Sequence, residues 1–487
     1  MTEFPVRAPG PDPEAGWRVF FSGETVFYAC LLLLCFFRLG ELPLAELDDI
    51  THAAMGKSIL LSGDWFTMHE GALVSFLKPP LYFWMEALSF KLFSASDYWA
   101  RFPAALAGFF TLALTYKIIR AAWDRQTAFL TVLILCSSTF FVKYSRRAML
   151  DMPVAFALCL GVWAAVKADY EGKTRCLLLC GISAAIGYYF KGVQGLYVLA
   201  VLPVYYAVTR RPQRLFNKWM LLGALAGLGL IAAWALPQYH VNGADFLYSQ
   251  SGIGPLADRG IPGRHNAFYT PFIKSFSVFY LMPLTLFGVA GIRKWVPAGG
   301  KTAALKYLML VWLLVLLAVL GASGAFYIRY LIPVFVPMAF FAALAAQKFS
   351  FFLREEQSRP RLTAAFALAL LAFCVLPLPT DSRSTKYLGL YNCLNNIVPK
   401  DAKIVLYKDK SYIFNQGLVF YGDRVLWKQV SSTQELRSVT AANPAAAVIV
   451  PAAYFAEIDG AGNLDVKKIA EAPEWRLYSA KINLIEE

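Results

Sequence analysis

Long apolar segments separated by short polar stretches recur along most of the chain. Eleven of them are long enough to span a bilayer, or nearly so: residues 25–39, 99–119, 128–142, 149–166, 176–190, 192–208, 219–239, 272–292, 303–322, 325–346 and 362–378. Apolar runs of about 20 residues are typical of membrane-spanning helices. The pattern predicts an α-helical polytopic membrane protein with about 11 to 13 spans.

Two further segments are read differently. Residues 81–93 are apolar, but the run is short and contains Glu86 and Lys91, which favours an interfacial or re-entrant helix. The chain starts with a polar, proline-rich stretch, and the apolar run 26–37 after it has no small-residue cleavage site at its end. We expect an uncleaved first span there rather than a signal peptide.

From about residue 380 the pattern changes, because Asp, Lys, Asn and Glu become frequent again. Short β-like runs occur at residues 402–407, 417–421, 446–450 and 475–484, with a helical pattern at 433–442. Residues 380–487 are therefore predicted to form a small soluble α/β domain. Residues 1–379 form the membrane domain, in which 40–98 and 240–271 are the longer loops.

Composition supports the membrane class. The chain has 487 residues, of which 58% are hydrophobic and 16% charged, where soluble proteins have about a quarter charged. The mean hydropathy is +0.50. A formal net charge of +14 would suggest nucleic-acid binding in a soluble protein. Here the positive charge lies in short loops between apolar segments, so no nucleic-acid partner is expected.

The basic loops predict the orientation. Five short loops carry three or more basic residues each: Lys117, Arg120 and Arg125; Lys167, Lys173 and Arg175; Arg210, Arg211, Arg214 and Lys218; Arg293, Lys294, Lys301 and Lys306; Lys348, Arg354, Arg359 and Arg361. With a cytoplasmic N-terminus all five face the cytoplasm, as the positive-inside rule requires. Both longer loops and the C-terminal domain are then extracytoplasmic.

The eight cysteines exclude a disulfide framework, because only Cys393 lies outside the apolar segments and their ends. Cys176 and Cys180 share one helix face, but no His or further Cys pair accompanies them. A metal site there is disfavoured.

Unusual polar residues, none of them used to choose the orientation, fall on the outer side: Asp48, Asp49, Lys78, Lys143, Arg146, Arg147, Asp151, Lys191, His265, Arg329 and Tyr330. Ionisable groups at the edges of spans are costly and indicate function. Lys and Arg that converge at the headgroup level would bind a phosphate or pyrophosphate. Carboxylates beside them would act as a general base or orient a nucleophile. The set suits a reaction in which a prenyl phosphate leaves.

Simpler roles are open for several of these residues. Lys143, Arg146 and Arg147 are also explained as side chains that reach toward lipid headgroups. Asp151 lies four residues after Arg147, so the two would pair on one helix face. Lys191 would serve as an interfacial anchor.

Five motifs occur in a fixed order on the predicted outer face. They are Leu47-Asp48-Asp49 with Ser62-Gly63-Asp64-Trp65, Leu77-Lys78-Pro79-Pro80-Leu81, Arg147-Ala148-Met149-Leu150-Asp151-Met152-Pro153, Phe190-Lys191-Gly192 and Arg329-Tyr330-Leu331-Ile332-Pro333. Together they resemble the GT-C glycosyltransferases of the aminoarabinose-transferase and protein O-mannosyltransferase superfamily. The resemblance covers residues 20–350.

The resemblance implies a polyprenyl-phosphate-linked sugar as donor. It places Asp48 as the base or acceptor-orienting group, and Lys78 and Lys191 beside the donor phosphate. With the charge argument, the predicted catalytic residues are Asp48, Asp49 and Asp151, and the predicted donor-phosphate ligands are Lys78, Lys191, Arg147, Arg329 and Tyr330.

A metal is left open. His265, in Arg264-His265-Asn266, resembles a histidine that binds a divalent metal in some members. Those members have a Glu directly before the Lys-Pro motif, where this chain has Leu77. No cofactor is therefore certain, and a divalent metal ion stays an open expectation.

The resemblance implies a glycosyltransferase of the bacterial inner membrane that moves a hexosyl or pentosyl group at the periplasmic face. Acceptors would be a lipid A-type glycolipid, a polysaccharide or a protein. The alternative is a transporter or flippase of an anionic polyprenyl-linked lipid, which predicts broken spans, polar residues at the midplane and an internal repeat. Here the ionisable residues lie at one edge and no repeat is visible. A scaffold that binds envelope partners would leave the acidic pair and the turn lysines unexplained.

Overall fold

A computed structural model describes residues 23–44, 47–71, 73–76, 78–250, 283–291, 300–322, 327–349, 387–408, 412–461 and 466–479. Helices dominate these residues, and a five-stranded sheet lies near the C-terminus. The predicted fold class, an α-helical membrane protein with a small α/β region, is confirmed.

The α-helices are α1 Gly23–Phe36, α2 Leu47–Ser62, α3 Leu81–Phe93, α4 Asp97–Ala122, α5 Arg125–Ser137, α6 Thr139–Ser145, α7 Asp151–Tyr170, α8 Leu178–Lys191, α9 Tyr197–Val208, α10 Lys218–Gln250, α11 283–291, α12 Gly300–Ala322, α13 Phe335–Phe349, α14 Leu388–Ile397, α15 Tyr412–Phe420, α16 Thr433–Ala442 and α17 Phe455–Asp459. Short 3-10 helices are Thr174–Leu177, Gly192–Gly195, Pro212–Arg214, Ile328–Val334 and Ala452–Tyr454. The strands are β1 His69–Glu70, β2 Leu73–Val74, β3 Ile404–Tyr407, β4 Leu426–Val430, β5 Ala447–Pro451, β6 Lys467–Ala472 and β7 Trp475–Ser479.

Among the described residues, six helices are long and apolar enough to cross a membrane, or seven if α5 and α6, bent by 78°, form one span. These six and the bent pair, with the shorter apolar helices Glu24–Phe36 and Tyr197–Val208, fall on the predicted segments. Of segment 272–292 only α11 is described, and segment 362–378 lies outside the described residues. The chain is a multi-pass membrane protein.

The bundle contains buried and lipid-facing helices. In helix α7, 78% of the most apolar stretch is buried inside the protein, whereas in α10 only 17% of the corresponding stretch is buried. Side chains such as Leu225, Leu228 and Leu236 on α10 are exposed, as suits a helix that faces acyl chains. Where α8 and α10 touch, a Cβ added to Gly181 would lie 2.1 Å from the carbonyl carbon of Gly223. This contact therefore requires glycine.

The C-terminal module, residues 387–479 as described, is built on a mixed sheet of order β4-β3-β5-β7-β6. Strand β3 runs parallel to β4 and β5, and β7 runs antiparallel to β5 and β6. Ile404 and Leu406 of β3 pack on one side of the sheet, and Val405 and Tyr407 pack on the other. This alternation gives the module two apolar layers.

The sequence predictions for this module were partly wrong. Strands occur at the predicted runs 402–407, 446–450 and, as far as it is described, 475–484, and the helix at 433–442 is α16. The predicted strand 417–421 is instead the end of helix α15 and the turn after it. Phe414 and Leu418, one helical turn apart, are buried in the module core, and this packing outweighs the strand-like composition. The expected domain boundary at 380 lies outside the described residues.

Candidate active site

Asp48 and Asp49 lie in the first turn of α2, where carboxylates favour the positive end of a helix dipole. They differ in environment. Asp48 is partly exposed, whereas Asp49 is fully buried. Adjacent helix residues point about 100° apart, so Asp48 and Asp49 face different parts of the protein.

Asp48 faces Arg329. The guanidinium Nη2 of Arg329 lies 2.5 Å from Asp48 Oδ2, and its Nε lies 3.7 Å from Asp151 Oδ2. Arg329 lies in the short 3-10 helix Ile328–Val334, which precedes α13. One cation therefore bridges carboxylates from α2 and from the start of α7.

Asp151 is the first residue of α7, and Lys191 is the last residue of α8. The Lys191 ammonium donates a hydrogen bond of 2.5 Å to Asp151 Oδ1. It also lies 4.0 Å from the ring centroid of Tyr330, a cation–π contact. Gly192, with φ 63°, ends α8 and permits the sharp turn after Lys191.

The expected pairing of Asp151 with Arg147 is replaced by a different arrangement. Asp151 is paired with Lys191 and Arg329, while Arg147 Nη1 lies 3.7 Å from Asp49 Oδ2. The neighbouring Arg146 donates hydrogen bonds to the carbonyls of Leu34 and Phe37 at the end of α1. Its guanidinium thus connects the segment before α7 to the end of α1.

Lys78 precedes α3 in the turn formed with Pro79 and Pro80. Burial lowers the pKa of its ammonium to about 8, with repulsion from Lys191 as the next cause. Asp151 and Asp48 act in the opposite direction, so Lys78 is near both carboxylates. No hydrogen bond or ion pair joins this ammonium to another described residue, which leaves it available to an anion.

Taken together, these residues form the outer cluster: Asp48, Lys78, Asp151, Lys191, Arg329 and Tyr330. It contains three cations and two carboxylates, so one positive charge is left over. An unpaired cation next to two paired cations is able to bind an anionic group such as a phosphate.

Asp49 has different partners from Asp48. Its Oδ1 accepts a hydrogen bond of 2.5 Å from the backbone N–H of Ala148, and Arg101 and Arg147 each approach Oδ2 to 3.7 Å. With its side chain wholly buried, Asp49 is placed to join α2 to the segment before α7.

Two residues that the sequence reasoning missed support the same junction. His52 Nδ1 donates to the carbonyl of Ala148 at 2.7 Å, and burial lowers the pKa of its imidazole. Arg101 donates to the carbonyls of Leu39, Leu42 and Pro43. The sequence signal for the role of His52 was its spacing, because it lies three residues after Asp49 and therefore on the same face of α2.

Glu86 on α3 is a buried acid beside this junction. Burial, and to a lesser extent Asp49, raises its pKa well above the ordinary value, because both disfavour the charged carboxylate. No hydrogen bond joins either carboxyl oxygen to the described part of the chain. A Cβ added to Gly56 of α2 would lie 2.7 Å from Glu86 Cβ, so the two helices touch here.

A metal site is not found within the described ranges, where no three His, Cys, Asp or Glu side chains are grouped to hold an ion. His265, the predicted ligand, lies outside those ranges. The expectation of a divalent ion therefore stays open.

Comparisons with known proteins give relatives for part of the sequence and for the fold. The sequence profile of the dolichyl-phosphate-mannose-protein mannosyltransferase family matches residues 77–236. An uncharacterized protein of Aquifex aeolicus is 29% identical over 218 residues, 45% of this chain and 44% of that protein. An undecaprenyl phosphate-alpha-4-amino-4-deoxy-L-arabinose arabinosyl transferase of Pseudomonas aeruginosa is 28% identical over 331 residues, 64% of this chain and 58% of that protein.

The fold comparison covers nearly the whole chain. The crystal structure of ArnT from Cupriavidus metallidurans bound to undecaprenyl phosphate has a TM-score of 0.65 at 17% identity, over 95% of this chain and 99% of that one. Its apo form has a TM-score of 0.62 at 18% identity, over 96% and 99%. The chain thus has the polytopic GT-C fold.

The chain is therefore similar in part of its sequence to polyprenyl-phosphate-dependent transferases and similar in its whole fold to ArnT. It spans about half the length of the curated relatives that it matches, 44% and 58% for the two above. The activity of this chain therefore has to be argued from its own site.

Proposed function

We propose that this protein is a membrane glycosyltransferase that moves a sugar from a polyprenyl phosphate to an envelope acceptor. The observation that carries the proposal is the outer cluster, in which cations from separate elements meet two carboxylates and Lys78 is unpaired among the described residues. Support also comes from the aminoarabinose transferase relatives and the ArnT fold.

In this mechanism the bond between the anomeric carbon and the phosphate oxygen breaks as the acceptor oxygen attacks. Lys78, Lys191 and Arg329 would neutralise the charge that develops on the departing phosphate. Asp48 would take the proton of an alcohol acceptor. With a phosphate acceptor, which needs no strong base, Asp48 would orient it instead. Asp49 would hold α2 in place rather than touch substrate.

The proposed orientation puts the outer cluster in the periplasm and the N-terminus in the cytoplasm. Helix α7 begins at Asp151 in the cluster and ends near Lys167 and Lys173, so its length, about 30 Å at 1.5 Å per residue, separates the site from a basic turn. Basic turns favour the cytoplasmic side. The module that follows residue 380 would then be a periplasmic domain, and the bacterial inner membrane its location.

The test is a donor panel. Purified protein in detergent or nanodiscs is incubated with polyprenyl-phosphate pentoses and hexoses and an envelope lipid extract, and free polyprenyl phosphate and labelled acceptor are measured. We expect stoichiometric release of both products with one donor class, and this result also assigns pentosyl or hexosyl transfer. Transbilayer movement of an intact donor without cleavage would overturn the proposal in favour of a flippase.

A further inference from the structure

The C-terminal module contacts the same helix that carries Asp48. We propose that Tyr421, Asp423 and helix α15 of this module are positioning elements of the active site, which hold α2 so that Asp48 faces the donor. The inference rests on the proposed transferase function and gives the module a task in that reaction.

An apolar contact forms the base of this interface. Val419 and Phe420, at the end of α15, are buried against Ile50, Ala53 and Ala54 of α2. These α2 positions lie within two turns of Asp48. Because burial of apolar side chains stabilises the contact between the elements that carry them, the module is part of the packing of α2.

A polar contact fixes the segment that enters α2. Tyr421 donates a hydrogen bond of 2.6 Å from its hydroxyl to Asp97 Oδ1. The backbone N–H of Leu44 donates to both oxygens, at 2.9 Å to Asp97 Oδ1 and 3.0 Å to Tyr421 Oη. Leu44 is buried and lies three residues before the first residue of α2. Loss of the Tyr421 hydroxyl removes one acceptor of that N–H and one donor to the Asp97 carboxylate.

The same entry segment is held from the bundle by Arg101, one turn after Asp97 on α4, through the carbonyls of Leu39, Leu42 and Pro43. Residues 39–44 are therefore bonded at several points, and within the described part of the module Tyr421 is the residue that bonds to them. This arrangement makes Tyr421 the residue that connects the module to the start of α2.

An ion pair holds the second half of α2. Lys57 Nζ lies 2.6 Å from Asp423 Oδ1, with side chains 14% and 31% exposed. Asp423 has φ 52°, the left-handed region that Asp and Asn tolerate, at the turn that follows α15. Nearby, Gln416 of α15 donates to Glu70 of β1 at 3.3 Å.

Helix α2 is thus held by two parts of the chain. Asp49 and His52 bond to Ala148 of the bundle, and the neighbouring positions Ile50, Ala53 and Ala54 pack in the cluster that contains Val419 and Phe420 of the module. The donor-side cations Lys191 and Arg329 lie on α8 and on the helix Ile328–Val334, away from the contacts just described. Loosening the module should therefore lower kcat, which depends on Asp48, with little change in the KM for donor.

The experiment compares two tyrosine-to-phenylalanine variants of the full-length protein. Tyr421→Phe removes the interface hydrogen bonds. Tyr407→Phe is the matched control, because the Tyr407 hydroxyl donates to Glu457 on the opposite side of the sheet from the core residues of α15. We expect kcat to fall about fivefold in Tyr421→Phe, which corresponds to the loss of a hydrogen bond of about 1 kcal/mol, with donor KM within about twofold. Tyr407→Phe should keep wild-type kcat.

A second pair tests the ion pair, since Lys57→Met should lower kcat and Lys57→Arg should restore it. Hydrogen exchange of residues 47–62 provides a readout that needs no activity: it should rise in Tyr421→Phe and Lys57→Met and stay unchanged in Tyr407→Phe. Wild-type kcat and exchange in both interface variants would overturn the inference. So would an equal loss in Tyr407→Phe. A wild-type protein without transferase activity would refute the proposed function, while the exchange data would still decide whether the module holds α2.

Discussion

At the scale of single residues, the charge on Lys78 changes within the pH range in which an enzyme is readily assayed. Its pKa is lowered to about 8 by burial and by Lys191. A depressed ammonium pKa means that the cation is present below about pH 8 and is lost as pH rises through that value. Donor capture in the free enzyme should therefore weaken on the alkaline side.

The prediction is a fall in kcat/KM for donor, approaching a tenfold loss per pH unit, above about pH 8. The measurement is a pH series of initial rates at subsaturating donor. In Lys78→Arg the guanidinium stays protonated, so its residual activity should show no such alkaline limb. An identical limb in both proteins would assign the titration to another group.

The different surroundings of Asp48 and Asp49 give a second prediction. Asp48→Asn should lower kcat about 10² to 10⁴-fold, the range for loss of a general base, and leave the melting temperature near wild type. Asp49→Asn should lower the melting temperature, because Arg101 and Arg147 lose a buried countercharge at a cost of about 3–5 kcal/mol. Asp401→Asn, at an exposed position of the module, is the control for both. Equal effects of Asp48→Asn and Asp49→Asn on kcat and on the melting temperature would contradict the separate roles of the two carboxylates.

The sequence was sufficient to select most residues of the outer cluster, because charges at the edges of apolar segments are conspicuous. It could not separate Asp48 from Asp49, since only the tertiary partners of each carboxylate differ. His52 was missed for the same reason. Its role depends on the carbonyl of Ala148, a backbone atom that no side-chain pattern reveals.

At the scale of elements, the length of the apolar runs predicted the spanning helices and α3, whereas the elements of the module were harder to predict. Strands β4 and β6 lie at the two edges of the sheet and carry exposed charged residues such as Lys428 and Lys467, so neither has a clear apolar face. Helix α15 was read as a strand from its composition. Its helical form is stabilised by the two surfaces it contacts, the module core and α2.

The α2–α3 contact yields a third prediction. In Gly56→Ala the new methyl group would lie 2.7 Å from Glu86 Cβ, which should destabilise the fold by about 1–3 kcal/mol. Gly229→Ala on α10 is the matched control, because a Cβ there meets nothing within 4 Å and alanine favours a helix. Thermal unfolding of both variants in detergent is the measurement. Equal midpoints would show that the two helices are not tightly packed at Gly56.

At the scale of the whole molecule, the fourth prediction concerns orientation. A cysteine introduced at exposed Ala441 of the module should react with a membrane-impermeant maleimide in spheroplasts. One introduced at Lys173, in the basic turn after α7, should react only after the membrane is permeabilised. Labelling is measured against the wild-type cysteines, and the reverse pattern would place the outer cluster in the cytoplasm.

The ion pair between Lys191 and Asp151 has a consequence for turnover. In the proposed reaction Lys191 binds the donor phosphate, but in the structure its ammonium is paired with the Asp151 carboxylate. An incoming donor would have to displace this carboxylate, and after transfer the same carboxylate would compete with the spent polyprenyl phosphate for the ammonium. Asp151 would then be an intramolecular counter-ion that weakens product retention, so Asp151→Asn should bind the released polyprenyl phosphate more tightly than the wild type does.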